Sequence, residues 1–341
     1  MMKLIHGVKL VFFTVSLTNI CMSESAIATP QSKLVASQQT LEQLYYQRDY
    51  QSIKEILNAL NRPLKIDEQL LMLAIKVQRD EDDADDALES LTNEHQNNAK
   101  VQYWAGNLWQ IVAKNSSMFS KMSIYSHYVK AMTKAAKLAP QNARYQMEAA
   151  KAYGQPSIMG GDSDKQAPIV AKLLQGSSQF AHIAQMDLLQ NTQKESEAIH
   201  YATGIAQQYS NNVEIVERAA QLLWTFGDKD KAGEFFYQAC MLPAPIKEPY
   251  LKWSAACWYS VLFSDNGELS LEQGITAGKK LLAQSSVKDN EYLESLELYA
   301  QLLVKARQTA NAINAYNDLL ASATNKSMKR KAKEALKKLS K

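Results

Sequence analysis

Apolar and polar residues follow one another along this chain with the spacing of amphipathic helices. The clearest example lies between residues 213 and 245, where small and apolar residues recur three and four positions apart in two runs. The two runs consist of Val216, Ala219, Ala220 and Leu223, followed by Ala232, Phe236 and Ala239. Gly227 and Asp228 lie between them, where a chain reversal needs a permissive backbone and an N-cap oxygen. The pattern predicts two short helices that cross closely at their alanines.

The same offsets recur later in the chain, where the members of the pattern are Leu296, Tyr299, Ala300, Leu303, Ala312, Tyr316 and Leu319. Both stretches resemble the tetratricopeptide repeat, a helix–turn–helix unit of ~34 residues. Weaker versions of the pattern begin at about residue 37 and continue to the last residues. The resemblance implies an all-α fold, a right-handed α-solenoid of roughly eight stacked helix pairs.

The chain divides into four predicted segments. Residues 1–28 form a signal peptide, residues 29–36 a short linker, residues 37–325 the helical repeat array and residues 326–341 a basic helix. Each repeat buries its apolar face against its neighbours, so a chain of 341 residues needs no single central core. Glycine and proline are scarce, at 12 and 8 residues, which favours helix throughout.

The first residues have the character of an export signal. Lys3 and Lys9 supply a basic segment, and residues 10–17 supply a short apolar core. Ala26 and Ala28 then provide the small side chains that a signal peptidase recognises. The apolar core is shorter than the ~20 residues that span a bilayer. We expect cleavage near Ala28 and a periplasmic or secreted protein, with a bacterial periplasm as the favoured compartment.

The cysteines raise two separate questions. Cys21 could carry a lipid anchor, but Ile20 stands where lipoprotein signals have a small residue, so a lipoprotein is not favoured. Cys240 and Cys257 fall on consecutive predicted helices that could face each other. They could form a disulfide in an oxidising compartment, or they could be two small side chains packed between helices. The sequence leaves both possibilities open.

One inter-helix loop differs from the ordinary repeat. It resembles a Pro-x-x-x-Gly-Gly-Asp-x-x-Lys-Ala loop found in a subset of bacterial repeat proteins, with Pro156, Gly160, Gly161, Asp162 and Lys165 at the matching positions. Exposed glycine N–H groups could bind phosphate, and the carboxylate could bind a metal. The Lys-Ser/Thr ending of a P-loop is missing. A structural turn, in which the aspartate or the next serine caps a helix, is the preferred interpretation.

The last sixteen residues are strongly basic. Residues 326–341 contain eight lysines or arginines against the single acid Glu334. Terminal repeats need a polar outer face, so a capping helix is the preferred interpretation. A basic helix can also contact anionic membrane lipid, and this remains the alternative.

No catalytic or metal-binding motif is recognisable in the sequence. The histidines beyond the signal peptide are isolated from one another and from any zinc-ligand spacing; they are His95, His127, His182 and His200. The sequence has no nucleophile elbow and no dinucleotide fingerprint. A net charge of +3 is too small to indicate nucleic acid as a partner. We therefore expect a protein that is not an enzyme and that needs neither a metal nor a cofactor.

The resemblance implies that the first helix of each repeat lines a concave groove. Side chains that lie off the packing stripe of these helices are the candidate partner-binding residues. They are Trp109, Met147, Lys151, Gln221, Trp224, Trp258, Gln301 and Lys305. Tryptophan is enriched in binding hot spots, and Trp224, at the end of the clearest first helix, is the best single candidate.

Two functions fit these observations. The first is a non-catalytic scaffold that holds a partner protein or an extended peptide of the cell envelope in its groove. The second is a small-molecule-binding accessory protein of an envelope transport system, because some bacterial periplasmic repeat proteins with a similar loop act beside solute uptake. An open, wet groove would favour the first function, and a closed apolar cavity would favour the second.

Overall fold

The computed structural model describes residues 41, 43–45, 47–176, 178–243, 255–283 and 290–340. Within these ranges, the backbone alone is described at residues 115, 118, 119, 290 and 291. The predicted signal peptide, the predicted linker and Cys21 lie outside the described residues. Among the described helices, none combines the length and the apolar character that crossing a bilayer requires.

The described residues contain sixteen α-helices and one short 3₁₀ helix, Ser157–Met159. The α-helices are α1 Tyr50–Asn58, α2 Ile66–Gln78, α3 Ala84–Glu94, α4 Ala99–Asn115, α5 Met118–Leu138, α6 Ala143–Tyr153, α7 Ser163–Gln175, α8 Gln179–Asn191, α9 Glu195–Gln208, α10 Val213–Thr225, α11 Lys229–Met241, α12 Ala256–Asp265, α13 Leu271–Ala283, α14 Asn290–Lys305, α15 Thr309–Ser322 and α16 Lys326–Leu339. Leu41 and residues 43–45 are also helical.

The helices pack in the order in which they occur along the chain. From α1 to α16, each helix contacts the next one. Contacts between alternate helices join α2 to α4, α6 to α8, α8 to α10 and α12 to α14, with a weaker one between α11 and α13, so the even-numbered helices are taken as the first helices of successive pairs. The all-α fold class that the sequence predicts, an array of tetratricopeptide-like helix pairs, is confirmed.

The turn between the two helices of a pair has the same backbone geometry in most pairs. Most of these turns place one residue in the left-handed region of backbone space, which reverses the chain between two helices. The residues with positive φ at these turns are Arg48, Asp80, Gln193, Gly227, Gly267 and Arg307. The next helix then begins on a polar cap where the chain offers one, as at α11, where the Asp228 carboxylate accepts from the Lys231 N–H at 3.4 Å.

Small residues lie where the helices approach most closely. Ala219, Ala220 and Ala232 are all fully buried between α10, α11 and their neighbours. Later in the array a glycine occupies such a crossing. A Cβ at Gly278 of α13 would lie 2.5 Å from the Tyr299 ring of α14, so a larger residue would clash there. Close packing at these crossings leaves little space for a larger side chain.

Candidate partner-binding surface

The structure buries two of the predicted groove residues. Trp109 keeps 6% of its surface exposed and belongs to a buried apolar core, and the His127 ring of the long helix α5 lies against its indole with 4.7 Å between ring centroids. Met147 keeps 4% exposed and belongs to the apolar core that α6 shares with the helices after it. The prediction that these two side chains line a groove is wrong for both. They stabilise the array and offer no surface to a partner.

Four other predicted groove residues are polar and at least partly accessible. Lys151, Gln221 and Gln301 are half-buried, and Lys305 is exposed. Lys305 is engaged within the array, since its Nζ lies 2.7 Å from Asp265 Oδ1 at the end of α12. These groups lie on α6, α10 and α14 and are therefore spread along the array rather than gathered at one point.

The remaining two predicted residues, both tryptophan, belong to one aromatic cluster. Trp224 at the end of α10 is 39% exposed, and Trp258 near the start of α12 is 37% exposed. The Tyr259 ring lies between them, with centroid distances of 5.2 Å to Trp224 and 5.1 Å to Trp258. We call Trp224, Trp258 and Tyr259 the aromatic surface. It is built from the first helices of two successive pairs.

Tyr259 is the residue of this surface that the sequence alone did not single out. It is half-buried, and its ring stacks on Phe236 of α11 with 4.5 Å between centroids. Burial, with a smaller contribution from the negative charge of Glu217, raises the pKa of its hydroxyl above the ordinary value. In the sequence, the one indication that Tyr259 belongs to this surface is its position directly after Trp258. Its contact with Trp224 could not be predicted, because that contact depends on how α10 and α12 pack.

Two links fix the start of α12 and so hold Trp258 in place. The Ala255 N–H donates to Glu217 Oε1 of α10 at 3.0 Å. Cys257, next to Trp258, forms a disulfide with Cys240 of α11, and the two Cα atoms are 4.6 Å apart. Of the two possibilities that the sequence left open for these cysteines, the structure has the disulfide. The helix that carries Trp258 and Tyr259 is therefore linked covalently to α11 and by a hydrogen bond to α10.

The Gly-Gly-Asp loop uses its polar groups internally. The N–H groups of Gly160 and Gly161 donate to the carbonyl oxygens of Ser157 and Pro156, at 2.9 and 3.2 Å. A Cβ at Gly161 would overlap the Gln155 carbonyl oxygen, and Gly160 has φ +86°, so both positions suit glycine. These N–H groups are not gathered into an anion-binding cradle. The arrangement is that of a structural turn.

Asp162 plays a different part in this loop from the one expected. It is the N-cap residue of α7, but its side chain makes no capping hydrogen bond. Its carboxylate instead forms an ion pair with Lys165 at 2.6 Å, and this contact holds the pKa of Asp162 below its ordinary value. Lys165 Nζ also lies 5.5 Å from the centroid of the Tyr153 ring. The ion pair joins the loop to the first turn of α7.

A buried ion pair joins two first helices beside the aromatic surface. Arg218 Nε of α10 donates to Asp187 Oδ1 of α8 at 2.6 Å, and the two side chains are 13% and 8% exposed. Arg218 Nη2 also donates to Gln190 Oε1 at 2.5 Å. Sequence reasoning missed this pair, because α8 and α10 each carry several other polar side chains and nothing local singles out Asp187 or Arg218.

A histidine sits between two tyrosines near the same helices. His182 Nδ1 lies 2.8 Å from the Tyr201 hydroxyl, and its Nε2 lies 3.2 Å from the Tyr209 hydroxyl. Burial lowers the pKa of His182, and burial together with Tyr209 raises the pKa of Tyr201 to about 12. Both ring nitrogens are engaged, which leaves the imidazole no free nitrogen for a substrate or a metal.

A concavity of about 560 Å³ lies beside α9 and opens to solvent; its lining is Glu195, Ser196, Ile199, His200, Thr203 and Lys231. In the part of the chain that the structure describes, no three histidine, cysteine or acidic side chains converge as metal ligands would. This concavity is unlike the closed apolar cavity that a small-molecule carrier would need.

No family model matches the sequence, and neither does any curated protein. Among solved structures, the chain is similar to one from the Cut9–Hcn1 hetero-tetramer of the APC/C, with 16% identity over 91% of this chain and a TM-score of 0.40. It spans 56% of that chain, little more than half its length.

Two further solved structures show a comparable likeness. Human IFIT1 in complex with m7Gppp-AAAA has 12% identity over 91% of this chain and 70% of its own, with a TM-score of 0.40. Yeast Tom70 has 13% identity over 93% of this chain and 75% of its own, with a TM-score of 0.39. Values this low say nothing about what the present chain binds, so its function has to be argued from its own surface.

Proposed function

We propose that this protein is a non-catalytic scaffold that binds a partner protein or an extended peptide of the cell envelope at the aromatic surface. The observation that carries the proposal is the exposure of Trp224 and Trp258, at 39% and 37%, on neighbouring first helices. Large aromatic side chains in a well-packed array are normally covered. Here two of them remain accessible within one cluster.

The chemistry of this surface suits protein recognition. Tryptophan and tyrosine are the residue types that most often carry binding energy at protein interfaces. The rings of this surface are supported from below by Phe236 and by the links to Glu217 and Cys240. A surface that is rigid before binding loses little conformational entropy when a partner docks.

The half-buried Gln221 extends the surface with a polar group. It lies three residues before Trp224 on α10, and residues with this spacing are neighbours on one helix face. A partner that stacks on the indoles could therefore also form a hydrogen bond with the Gln221 amide. An extended peptide, with its regularly spaced carbonyl and N–H groups, fits this combination of apolar and polar contacts.

We further infer that the protein acts outside the cytoplasm. The support is the export signal expected at residues 1–28 together with the Cys240–Cys257 disulfide, because such bonds persist in oxidising compartments. Fractionation of cells that produce the protein, followed by N-terminal sequencing, tests this. A mature chain that begins near Thr29 is the expected result, and an uncleaved cytoplasmic chain would contradict it.

Site-specific photocrosslinking tests the binding function. A benzophenone amino acid at Gln221 should give a covalent adduct with a protein or peptide of the envelope, identified by mass spectrometry. The matched control is the same amino acid at Gln208, an exposed residue of α9. Equal adducts at both positions, or no adduct at Gln221, would show that the aromatic surface is not the binding site.

A further inference from the structure

Helix α16 presents a continuous stripe of positive charge. Its members recur three or four residues apart and therefore share one face of the helix. We call this set the basic stripe: Lys326, Lys329, Arg330, Lys333 and Lys337. All of its members are exposed. With a rise of 1.5 Å per residue, the stripe is about 16 Å long.

The opposite face of α16 is already occupied. Met328 and Ala332 are buried in the core, and Leu336 and Leu339 pack partly against it, where α16 contacts α15. Lys331 reaches toward the array, where its Nζ lies 2.8 Å from Glu297 Oε1 of α14. These contacts agree with a helix that covers the array. They also point the basic stripe away from it.

The charges of the stripe have little neutralisation within the protein. Arg330 Nε lies 3.9 Å from Glu334 Oε1, a contact between two exposed side chains that contributes little. In the described part of the chain, the stripe lysines have no carboxylate within ion-pair distance. Like charges placed this close repel one another, and an anionic surface would relieve that repulsion.

We propose that the basic stripe docks the protein on an anionic phospholipid surface. A straight row of lysines on a rigid helix can approach the phosphates of a flat membrane together, and each lysine near such a surface adds to the attraction. Because the apolar face of α16 is held by the array, the helix lies on the headgroups and does not insert. The contact is therefore electrostatic and weakens as salt is added.

The composition of the stripe separates this partner from nucleic acid. Helix α16 has no aromatic side chain on which a base could stack, and its basic stripe has no amide side chain that could read a base edge. Four of the five cations are lysines, which act as point charges on flexible stems and suit a fluid array of phosphates. Docking here is independent of the aromatic surface, so either proposal can fail without the other.

Vesicle co-sedimentation of the full chain tests the proposal. The protein should bind vesicles that contain phosphatidylglycerol and should not bind pure phosphatidylcholine vesicles, and added salt should release it. In the combined variant Lys329→Gln, Lys333→Gln and Lys337→Gln, binding should fall about a hundredfold, from roughly fivefold for each lysine. Circular dichroism and melting of the variant should match the wild type, because all three side chains are exposed.

The matched control removes three lysines with similar spacing from another helix. Lys130→Gln, Lys134→Gln and Lys137→Gln on α5 change the net charge equally and should leave vesicle binding intact. An equal loss of vesicle binding in both variants would show that only the net charge of the protein matters. Full vesicle binding by the α16 variant would show that another surface contacts the membrane. Tighter binding to a labelled oligonucleotide than to vesicles, lost in the α16 variant, would identify nucleic acid as the partner. Each of these outcomes would overturn the proposal.

Discussion

The Trp224 indole meets the Tyr259 ring at 61°, with 5.2 Å between the centroids, while 39% of Trp224 remains exposed. The two residues belong to α10 and α12, the first helices of successive pairs. Edge-to-face contacts of this kind are favourable because the positive edge of one ring meets the negative face of the other. Trp224 is thus held on one side and accessible on the other.

Replacing Trp224 with alanine should weaken partner binding more than folding. Truncation of a hot-spot tryptophan costs ~2 kcal/mol or more of binding free energy. We expect capture of the crosslinked partner to be lost while the melting temperature falls only slightly. Differential scanning calorimetry and a binding titration on the same preparation measure both effects.

Trp109→Ala provides the comparison for that experiment. Because Trp109 is covered by His127, the change should lower the free energy of unfolding by ~3–5 kcal/mol and leave affinity unaltered wherever the protein stays folded. If Trp224→Ala loses as much stability as Trp109→Ala, Trp224 belongs to the core. If a stable Trp224→Ala protein binds normally, the site lies elsewhere.

The ion pair between Asp187 and Arg218 should stabilise the array as a unit. Asp187→Leu leaves the buried guanidinium without its carboxylate, and we expect a loss of ~3–5 kcal/mol in unfolding free energy; Arg218→Met is the second single variant. The double change Asp187→Leu with Arg218→Met removes both charges and should cost much less than the sum of the single losses. Urea denaturation of the two single variants and the double variant completes the cycle.

An exposed ion pair is the control for the buried pair of Asp187 and Arg218. Lys194 and Glu197 form an exposed ion pair at 3.1 Å, so Glu197→Gln should change the free energy of unfolding by less than ~1 kcal/mol. Additive losses at Asp187 and Arg218 would show that the buried contact does not couple α8 to α10.

The Cys240–Cys257 disulfide should stabilise the array measurably. It closes a segment with a sequence separation of 17 residues, for which the chain-entropy account gives ~3 kcal/mol. Melting in the presence of a reductant should therefore occur several degrees lower than under oxidising conditions. The double variant Cys240→Ser with Cys257→Ser should melt at the same temperature in both conditions, and an unchanged wild type would argue against the bond.

His182 should make stability depend on pH. Burial lowers its folded-state pKa below the ordinary value of 6.5, so the unfolded chain holds more protons between the two values. The contribution of His182 to the free energy of unfolding is therefore fully present above about pH 6.5, and it decreases as the pH falls toward the folded-state pKa. His182→Gln should flatten this part of the profile of melting temperature against pH.

The exposed residue His200 is the control for this effect. His200→Gln should leave the profile close to that of the wild type. An NMR titration in which the His182 ring titrates above the ordinary value would reverse the expected sign and show that the two tyrosines favour the charged imidazole.

The helix pairs could be predicted from the sequence because their causes are local. Apolar residues three and four apart define a buried stripe, and alanines such as Ala219 and Ala232 mark close crossings wherever they occur. The turn at Gly227 and Asp228 requires a left-handed backbone and a cap, and both are properties of adjacent residues. These rules hold whatever else the chain does.

The sequence could not determine which side chains face solvent. Trp109 and Trp224 each follow a leucine of the packing stripe, Leu108 and Leu223, so their local patterns are equivalent. One is 6% exposed and the other 39%. The difference arises because Trp109 is enclosed in a core built by several helices, with His127 of α5 against its ring, whereas 39% of Trp224 is left uncovered by its neighbours.

The same reason accounts for the other features that sequence reasoning left open or missed. Cys240 and Cys257 pair because α11 and α12 bring their Cα atoms within 4.6 Å. Arg218 meets Asp187 from a position 31 residues later in the chain. Periodicity is a property of one helix, whereas covering a ring, closing a disulfide and pairing buried charges each require a second helix whose register only tertiary packing sets.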